Sequence, residues 1–435
     1  MPGIMNNTSS FSTALINTAP TDYIHARNVL ERQLGRCLGA NEKKSVQALL
    51  SNHANPTARQ PNFIFVGHAR EKINVLQSDL YNKDYAMQSA PVMSTFEKHV
   101  LAPVVSTAAR KGMLAGVISS NLGDAPCALL SKANTPAVVN GVFRTTPFLP
   151  KDYFHPLSKR PLFNLLKRMA IAEVHNTDGD KQMTLGLGAL NKFVLFTNNG
   201  KDIARIVDSE TKKLQVAGKA HKRVAVVTGN TMTAACVFAN IEKLVTDKAA
   251  PLFFNGATSN IGKAVITKLV ASGYTNVTFH TGSEERAQKL LADIDAYCGG
   301  ANNVKHTTDK TEMWKFKHCV IGSSADLPAR PSGSASAEND PHFIAFAFPY
   351  PKNLREQTSF SDIGNMRMPN SMKVSNAALC AEHEMYSCFS GTAVHSAMGW
   401  SHHEVGDIDV DAMQTCWDAA MSLGFSLPLD HQSSH

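Results

Sequence analysis

The chain has 435 residues, 43% hydrophobic and 18% charged, which is enough for two or three domains with apolar cores. Its 43 Lys and Arg against 36 Asp and Glu give a net charge of +7, which is small for this length. No basic run and no basic–aromatic pattern is present, which argues against nucleic-acid binding. A mildly positive surface suits an acidic partner, or no partner at all.

The cysteines and the apolar segments bear on the cellular compartment. The eight cysteines form no Cys-x-x-Cys pair and follow no disulfide framework, which indicates a reducing compartment. No apolar stretch approaches the roughly 20 residues that span a bilayer, and the N-terminus lacks the pattern of a secretory signal. We therefore expect a cytoplasmic protein with at most peripheral membrane contact.

The first 220 residues are predicted to form two regions. Residues 1–60 are predicted to be a partly disordered extension, since 1–21 carry no charged side chain. Residues 61–220 are predicted to be an α/β domain that binds the substrate's acyl group. It contains a strand ending at His68 and a helix from Leu162 to Val174, whose apolar residues recur at helical spacing.

Residues 221–375 alternate predicted strands and helices. The strands include Val224–Val227, Leu252–Phe254 and Val277–His280. This alternation predicts an α/β fold with a doubly wound parallel, Rossmann-like sheet. Residues 376–435 are predicted to be a C-terminal helical segment, with one long helix from Asn376 to Trp400 because that stretch has no proline.

A glycine-rich turn lies between a predicted strand and a predicted helix, the context of a dinucleotide-binding motif. Glycine occupies the first and third fingerprint positions and Ser259 the middle one. Backbone N–H groups at the start of a helix can hold a pyrophosphate. The alternative is a purely structural turn. The predicted cofactor contacts are Gly256, Thr258, Ser259, Asn260, Ile261 and Gly262.

The end of the next strand bears on which nicotinamide cofactor binds. An NAD site carries an acidic residue there, whereas this strand ends at His280 and continues into Thr281, Ser283 and Arg286. Hydroxyl groups and an arginine suit a 2′-phosphate, so we predict NADP(H) with the last three residues as contacts. The open alternative for Arg286 is an exposed helix charge.

Two further segments carry candidate chemistry. Asn230, Thr231 and Thr233 follow a predicted strand and either cap a helix or form a polar wall beside a reacting carbonyl. Cys388 lies in an apolar stretch, where a cysteine is usually an inert core residue, although an acyl-accepting nucleophile is the alternative. The local His and Cys pairs belong to no four-ligand pattern, so we predict no metal.

In this order and spacing the motifs resemble two families over roughly residues 62–430. One is the cyanobacterial long-chain acyl-[acyl-carrier-protein] reductases, and the other is the C-terminal domain of plant eceriferum wax-synthesis proteins. The segments that carry the resemblance are Ile64–His68, Phe148–Pro150, Thr228–Ala234, Gly256–Gly262, Tyr350–Leu354, Met385–Phe389, Gly399–Trp400 and Gly424–Pro428.

The reductase resemblance implies that Cys388 is the acylated nucleophile. The plant proteins have no cysteine at that position, so Cys388 indicates a greater similarity to the reductases. It implies NADPH-dependent reduction of a long-chain acyl thioester, on acyl carrier protein or CoA, to a fatty aldehyde for a downstream aldehyde-processing enzyme. Leu187–Asn191 and Val394–His395 instead resemble the plant proteins. The alternatives are another NADP-dependent dehydrogenase in which Cys388 is structural, and a non-catalytic partner in a wax or alkane pathway.

Overall fold

The computed structural model divides into two compact units. The first takes the chain up to Thr228 together with Ser371–Leu379 and His395–Gly406, and the remaining segments form the second. The predicted domain boundaries at residues 60, 220 and 375 stay predictions. The described residues are 62–68, 125–129, 139–146, 153, 159–177, 182–219, 223–300, 303–331, 340–347, 350–354, 357, 359–369, 372, 379–381 and 383–428.

The first unit is built on a five-stranded sheet. Its strands are β1 (Phe63–His68), β2 (Ala125–Leu129), β3 (Val139–Thr146), β4 (Gln182–Leu187) and β5 (Arg223–Val227). They lie in the order β2-β3-β1-β4-β5, and β2 alone runs antiparallel to its neighbour. The described helices of this unit are α1 (Lys159–Asn176), α2 (Val194–Thr197) and α3 (Lys201–Val216).

The apolar pattern of these elements explains their packing. The central strand β1 buries Phe63 to Val66 on both faces, as expected of a strand inside a parallel sheet. Helix α1 buries Leu162, Leu165 and Met169 at helical spacing, which confirms the predicted helix. These residues join those of β4 and α3 in one core.

The second unit contains a six-stranded sheet whose described pairings are all parallel. Its strands are β6 (Leu252–Asn255), β7 (Val277–His280), β8 (Lys305–Thr307), β9 (His318–Ile321), β10 (His342–Ala345) and β11 (Phe360–Asp362). The spatial order is β8-β7-β6-β9-β10-β11. Numbered within this unit, that is 3-2-1-4-5-6, the order of the Rossmann fold.

The two faces of this sheet are covered differently. Phe254 and Ile344 point into a core with helices α4 (Asn230–Leu244), α5 (Asn260–Ala271), α6 (Glu284–Cys298) and α8 (Ala412–Ser422). Phe253 and Phe343 pack in a second cluster that includes the 3₁₀ segment Lys310–Lys315. Parallel sheets flanked by helices confirm the predicted α/β class.

The predicted long helix from Asn376 to Trp400 is wrong. Strands β13 (Leu379–Ala381) and β14 (Glu384–Tyr386) come first, and helix α7 spans only Ser387–Ala397. Strand β14 pairs antiparallel with β12 (Asn365–Arg367), and the backbone N–H of Ser387 donates to the carbonyl of Gly364. Residues 384–386 form a strand because they pair with a distant strand, even though no proline in the segment would break a helix.

Among the described helices, none combines the length and the apolar character needed to cross a bilayer.

Candidate functional site

The second sheet changes winding direction between β6 and β9, and two backbone segments approach closely there. At the carboxyl ends of these neighbouring strands the chain leaves β6 towards β7 on one side and leaves β9 towards β10 on the other. Gly256 follows β6 with φ +96°, and a Cβ atom there would lie 2.6 Å from the carbonyl carbon of Gly322, which follows β9. Dinucleotides bind at such a point in parallel α/β sheets.

The third fingerprint glycine holds the turn against its helix. A Cβ atom at Gly262 would lie 2.2 Å from the carbonyl oxygen of Gly256, so only glycine fits without movement. Ser259 is the N-cap of α5: its Oγ accepts from the N–H of Gly262 at 3.1 Å and donates to the Gly256 carbonyl at 2.8 Å. The Ser259 hydroxyl proton therefore stabilises the turn itself.

The other predicted turn residues differ in exposure and contacts. Thr258 is half-buried at the turn, and the side chain of Ile261 packs against the helix-covered core. The Asn260 Oδ1 accepts from the backbone N–H of Ile408 at 3.3 Å. Asn260 thus ties the start of α5 to the segment before α8, a structural role that the motif alone does not predict.

Asn255, the last residue of β6, is a candidate site residue that the sequence analysis missed. It is 3% exposed, and within the described part of the chain its Nδ2 has no hydrogen-bond partner. Buried polar atoms are rarely left unpaired, and exceptions often mark the place of a ligand or water. A polar residue closing an otherwise apolar strand was the available signal.

The end of β7 has no acidic residue in its last position, as the sequence indicated. Thr281 is buried, and its Oγ1 accepts from the N–H of Ser283 at 3.4 Å. The Oγ of Ser283 accepts from the N–H of Arg286 at 3.3 Å and so caps α6. Arg286 is exposed in the first turn of that helix. All three residues lie beside the carboxyl end of β7, where their contacts with a 2′-phosphate stay a prediction.

Two residues near this strand end, His280 and Lys310, were not predicted as site residues. Burial lowers the pKa of His280, and the positive charge of Lys310 lowers it further. The Nζ of Lys310 donates to the carbonyl of Asp326 at 2.6 Å. Lys310 follows β8 in a stretch without sequence periodicity, so only the tertiary fold brings it towards His280.

Asn230, Thr231 and Thr233 lie in the first turn of α4, and all three are buried. The N-cap is Gly229, and no side chain caps the helix, so the predicted capping role is wrong. Thr233 instead donates its hydroxyl to the carbonyl of Gly229 at 2.8 Å. The N–H groups of this turn carry the positive end of the helix dipole.

Cys388 is the second residue of α7, and its backbone lies against the start of α4. A Cβ atom at Gly229 would lie 2.2 Å from the Cys388 carbonyl oxygen. A Cβ atom at Gly391, one turn later, would meet Met232 at 2.8 Å. The fold therefore brings together Cys388 and the Asn230–Thr231 turn. The closest atoms at Gly256, by contrast, belong to Gly322.

A series of contacts follows the carboxyl edge of the second sheet from β9 to α7. A Cβ atom at Gly322 would meet the ring of Phe346, which follows β10, and Gly364 after β11 lies beside the backbone of Phe346. Ser387 then donates its Oγ to the Gly364 carbonyl at 2.6 Å. Cys388 is thereby held on the β9–β11 half of this edge.

Cys236 differs from Cys388 in its surroundings. It is fully buried in α4, and burial raises the pKa of its thiol to about 12. Its Sγ donates to the carbonyl of Asn365 at 3.2 Å. Cys236 is an inert core thiol, whereas Cys388 is only half-buried.

Phe148–Pro150, one of the segments that carry the resemblance, lies outside the described residues.

Over the ranges that the structure covers, no group of three His, Cys, Asp or Glu has the arrangement of a metal site.

Residues 252–427 match the family model described as the CER1-like C-terminal domain. The matched segment begins at β6 and ends after α8, so it contains the fingerprint turn, the six-stranded sheet and Cys388. The comparisons therefore support the resemblance to plant eceriferum proteins. They do not support the resemblance to cyanobacterial acyl-carrier-protein reductases.

Curated relatives from rice agree with this match. The chain is 29% identical over 207 residues to very-long-chain aldehyde decarbonylase GL1-1 of Oryza sativa subsp. indica, covering 46% of this chain and 31% of the relative. It is 28% identical over 293 residues to very-long-chain aldehyde decarbonylase GL1-2 of the same subspecies, covering 65% and 41%. The chain thus spans less than half the length of these relatives.

Solved structures add two distant similarities. Quinate dehydrogenase from Corynebacterium glutamicum in complex with NAD has a TM-score of 0.25 at 15% identity, covering 43% of this chain and 62% of that one. A shikimate 5-dehydrogenase-like protein has a TM-score of 0.29 at 13% identity, covering 57% and 99%. With scores this low, the fold is established by the strand order alone.

The comparisons overturn the predicted activity. The expectation of a fatty acyl thioester reductase with an acyl-Cys388 intermediate is wrong, because the relatives are named aldehyde decarbonylases. Such proteins act on an aldehyde, whereas the predicted enzyme would form one. The role of Cys388 was implied by the resemblance to the reductases, which the comparisons do not support.

Proposed function

We propose that this chain binds NADP(H) at the carboxyl edge of its second sheet and binds very-long-chain aldehydes in wax or hydrocarbon metabolism. The observation that carries the proposal is the close approach of the Gly256 and Gly322 backbones, located at the winding switch of the segment that matches the CER1-like domain. The names of the rice relatives supply the substrate class.

The residues at the carboxyl end of β6 fit a dinucleotide. Glycine at positions 256 and 322 lets the two backbone segments approach closely, and the start of α5 offers N–H groups to a pyrophosphate. The unpartnered Nδ2 of Asn255 is a further donor at the same strand end. Lys310 and Arg286 supply positive charge near the end of β7, which favours a 2′-phosphorylated cofactor. A bound dinucleotide would supply or accept a hydride.

The remaining predictions on partners follow from this proposal. An aldehyde must be supplied by one enzyme and consumed by another, so we expect a protein partner of that kind. The acyl carrier protein or CoA partner stays a prediction without support. A non-catalytic role, in which the chain binds both ligands without converting them, is the second candidate, and the binding geometry described above suits it equally.

Two measurements separate these candidates. Purified chain is incubated with NADPH and a very-long-chain aldehyde, and the products are identified by mass spectrometry. Conversion that depends on NADPH and is lost in Gly256→Ala supports an enzyme. Binding of both ligands without conversion supports the non-catalytic role. Binding of neither ligand contradicts the proposal.

A further inference from the structure

A lysine and a glutamate both contact Thr228 at the carboxyl edge of the first sheet. Lys192 ends the 3₁₀ turn that follows β4, and its Nζ donates to the carbonyl oxygen of Thr228 at 2.8 Å. Thr228 follows β5, and its Oγ1 donates to the Glu404 carboxylate at 3.1 Å. Ligands of parallel α/β sheets bind at this edge.

A buried polar network fixes the turn that carries Lys192. The neighbouring Asn191 is fully buried; its Nδ2 donates to the carbonyl of Val66 at 2.8 Å, and its Oδ1 accepts from the hydroxyl of Tyr153. The Tyr153 oxygen lies 3.1 Å from the Oγ1 of Thr146, which is also buried. A network of this kind holds a backbone turn in one conformation.

The residues directly after Lys192 present apolar side chains to solvent. Helix α2 is anchored by Phe196, which is 6% exposed, while Val194 is 50% and Leu195 is 60% exposed. Exposed apolar residues scattered singly need no explanation, but two adjacent ones beside a half-buried lysine break the usual surface pattern. A charged residue followed within three positions by exposed alkyl side chains suits a ligand with a polar head and a long apolar chain.

We propose that Lys192 binds the carbonyl oxygen of a long-chain aldehyde, and that Val194 and Leu195 contact the start of its alkyl chain. The ammonium group donates to the carbonyl oxygen, and Thr228 and Glu404 hold the polar end of the site. This inference rests on the aldehyde class of the proposed function and adds its binding residues. It needs no cofactor.

Reductive trapping tests the proposal on the full chain without any nucleotide. In mildly alkaline buffer the ammonium first loses a proton to the buffer; the neutral amine then attacks the carbonyl carbon of hexadecanal, and water leaves. Cyanoborohydride delivers hydride to the resulting iminium, which gives a secondary amine that peptide mass spectrometry locates. We expect Lys192 to be modified about tenfold faster than the exposed Lys212, and butanal to give no such preference. The double variant Val194→Ser, Leu195→Ser should lose the preference for hexadecanal while its butanal labelling stays the same.

A binding measurement separates this inference from the proposed function. Lys192→Met should weaken hexadecanal binding about tenfold, and Lys192→Arg, which keeps the charge, should bind within about threefold of wild type. Equal labelling of Lys192 and Lys212, with unchanged binding by Lys192→Met, overturns the inference while wild-type aldehyde binding upholds the proposed function. Failure of wild type to bind any long-chain aldehyde overturns both.

Discussion

The carboxyl edges of the two sheets differ in whether backbone or side-chain groups form them. In the second unit the edge is formed by backbone: a Cβ atom at Gly256 would clash with the Gly322 backbone, and a Cβ atom at Gly322 would clash with the ring of Phe346. In the first unit the edge is side chain: Tyr153, Asn191 and Lys192 lie there, the first two buried. The same parallel architecture therefore offers two kinds of recognition.

This difference matches the chemistry of the two proposed ligands. A pyrophosphate is recognised by several N–H groups at once, which requires uncovered backbone. A single carbonyl oxygen is recognised by one donor, which requires one well-placed side chain held by its neighbours. The comparison predicts that substitutions at the edge of the second sheet affect dinucleotide binding, and that substitutions at the edge of the first sheet affect aldehyde binding.

The largest effect is expected for Gly256→Ala. The positive φ of +96° and the 2.6 Å approach to Gly322 make a Cβ atom both strained and crowded. We expect dinucleotide affinity to fall at least about 100-fold, measured by NADPH titration. The matched control is Gly299→Ala, where φ is +78° but nothing lies within 4 Å. It should lose about 1 kcal/mol of stability and keep its affinity. Equal NADPH affinities in the two variants would contradict a dinucleotide site at Gly256.

The next largest effect concerns the pH dependence of the first unit. Burial lowers the pKa of His395 from 6.5 to about 3, and the nearby His402 adds to the shift. Between pH 6.5 and about 3 the unfolded chain binds a proton at His395 that the folded chain does not bind. The free energy of unfolding is therefore highest above pH 6.5 and decreases as the pH falls towards 3. The loss from this group is up to about 1.4 kcal/mol per pH unit.

Urea unfolding across this pH range checks the prediction. His395→Gln, which does not titrate, should show a shallower loss of unfolding free energy than wild type. His402→Gln serves as the control and should retain most of the slope. A His395→Gln variant with the wild-type slope would show that another group is responsible.

A smaller effect is expected at the side-chain edge. Tyr153→Phe removes the donor to the buried Asn191 Oδ1, which should cost about 1–2 kcal/mol of unfolding free energy. Tyr297→Phe is the exposed control: its hydroxyl donates to Asp411, but the ring is 39% exposed. Its cost should stay below about 1 kcal/mol. Dinucleotide affinity should change in neither variant, and a weakened affinity in Tyr153→Phe would contradict the separation of the two edges.

Much of the backbone edge was predictable and much of the side-chain edge was not. Strand, glycine turn and helix around Gly256 are local signals, so the sequence carries them directly. The contact with Gly322 and the bond between Ser387 and Gly364, which sets the start of α7, join distant segments. Lys192 belongs to no recognisable motif, because its contact with Thr228 depends on where β5 ends in the fold. Cys388 shows the opposite error, a clear motif to which the wrong activity was attached.

The smallest effect is expected at Ser259, the departure from the usual fingerprint. Ser259→Ala removes the N-cap of α5 and should cost about 1 kcal/mol of unfolding free energy. Ser259→Gly restores the middle glycine of the fingerprint, and it should cost only a few tenths of a kcal/mol, because glycine is itself a tolerated N-cap. Thermal unfolding of both variants measures the difference. A loss in Ser259→Gly as large as in Ser259→Ala would contradict the capping role.

Calorimetric titration of the wild-type chain with NADPH, and in parallel with NADH, tests the central claim most directly. The account predicts saturable binding of one NADPH per chain, about tenfold or more tighter than NADH because β7 ends without a carboxylate and cations lie nearby. Absence of binding, or tighter binding of NADH, would contradict it.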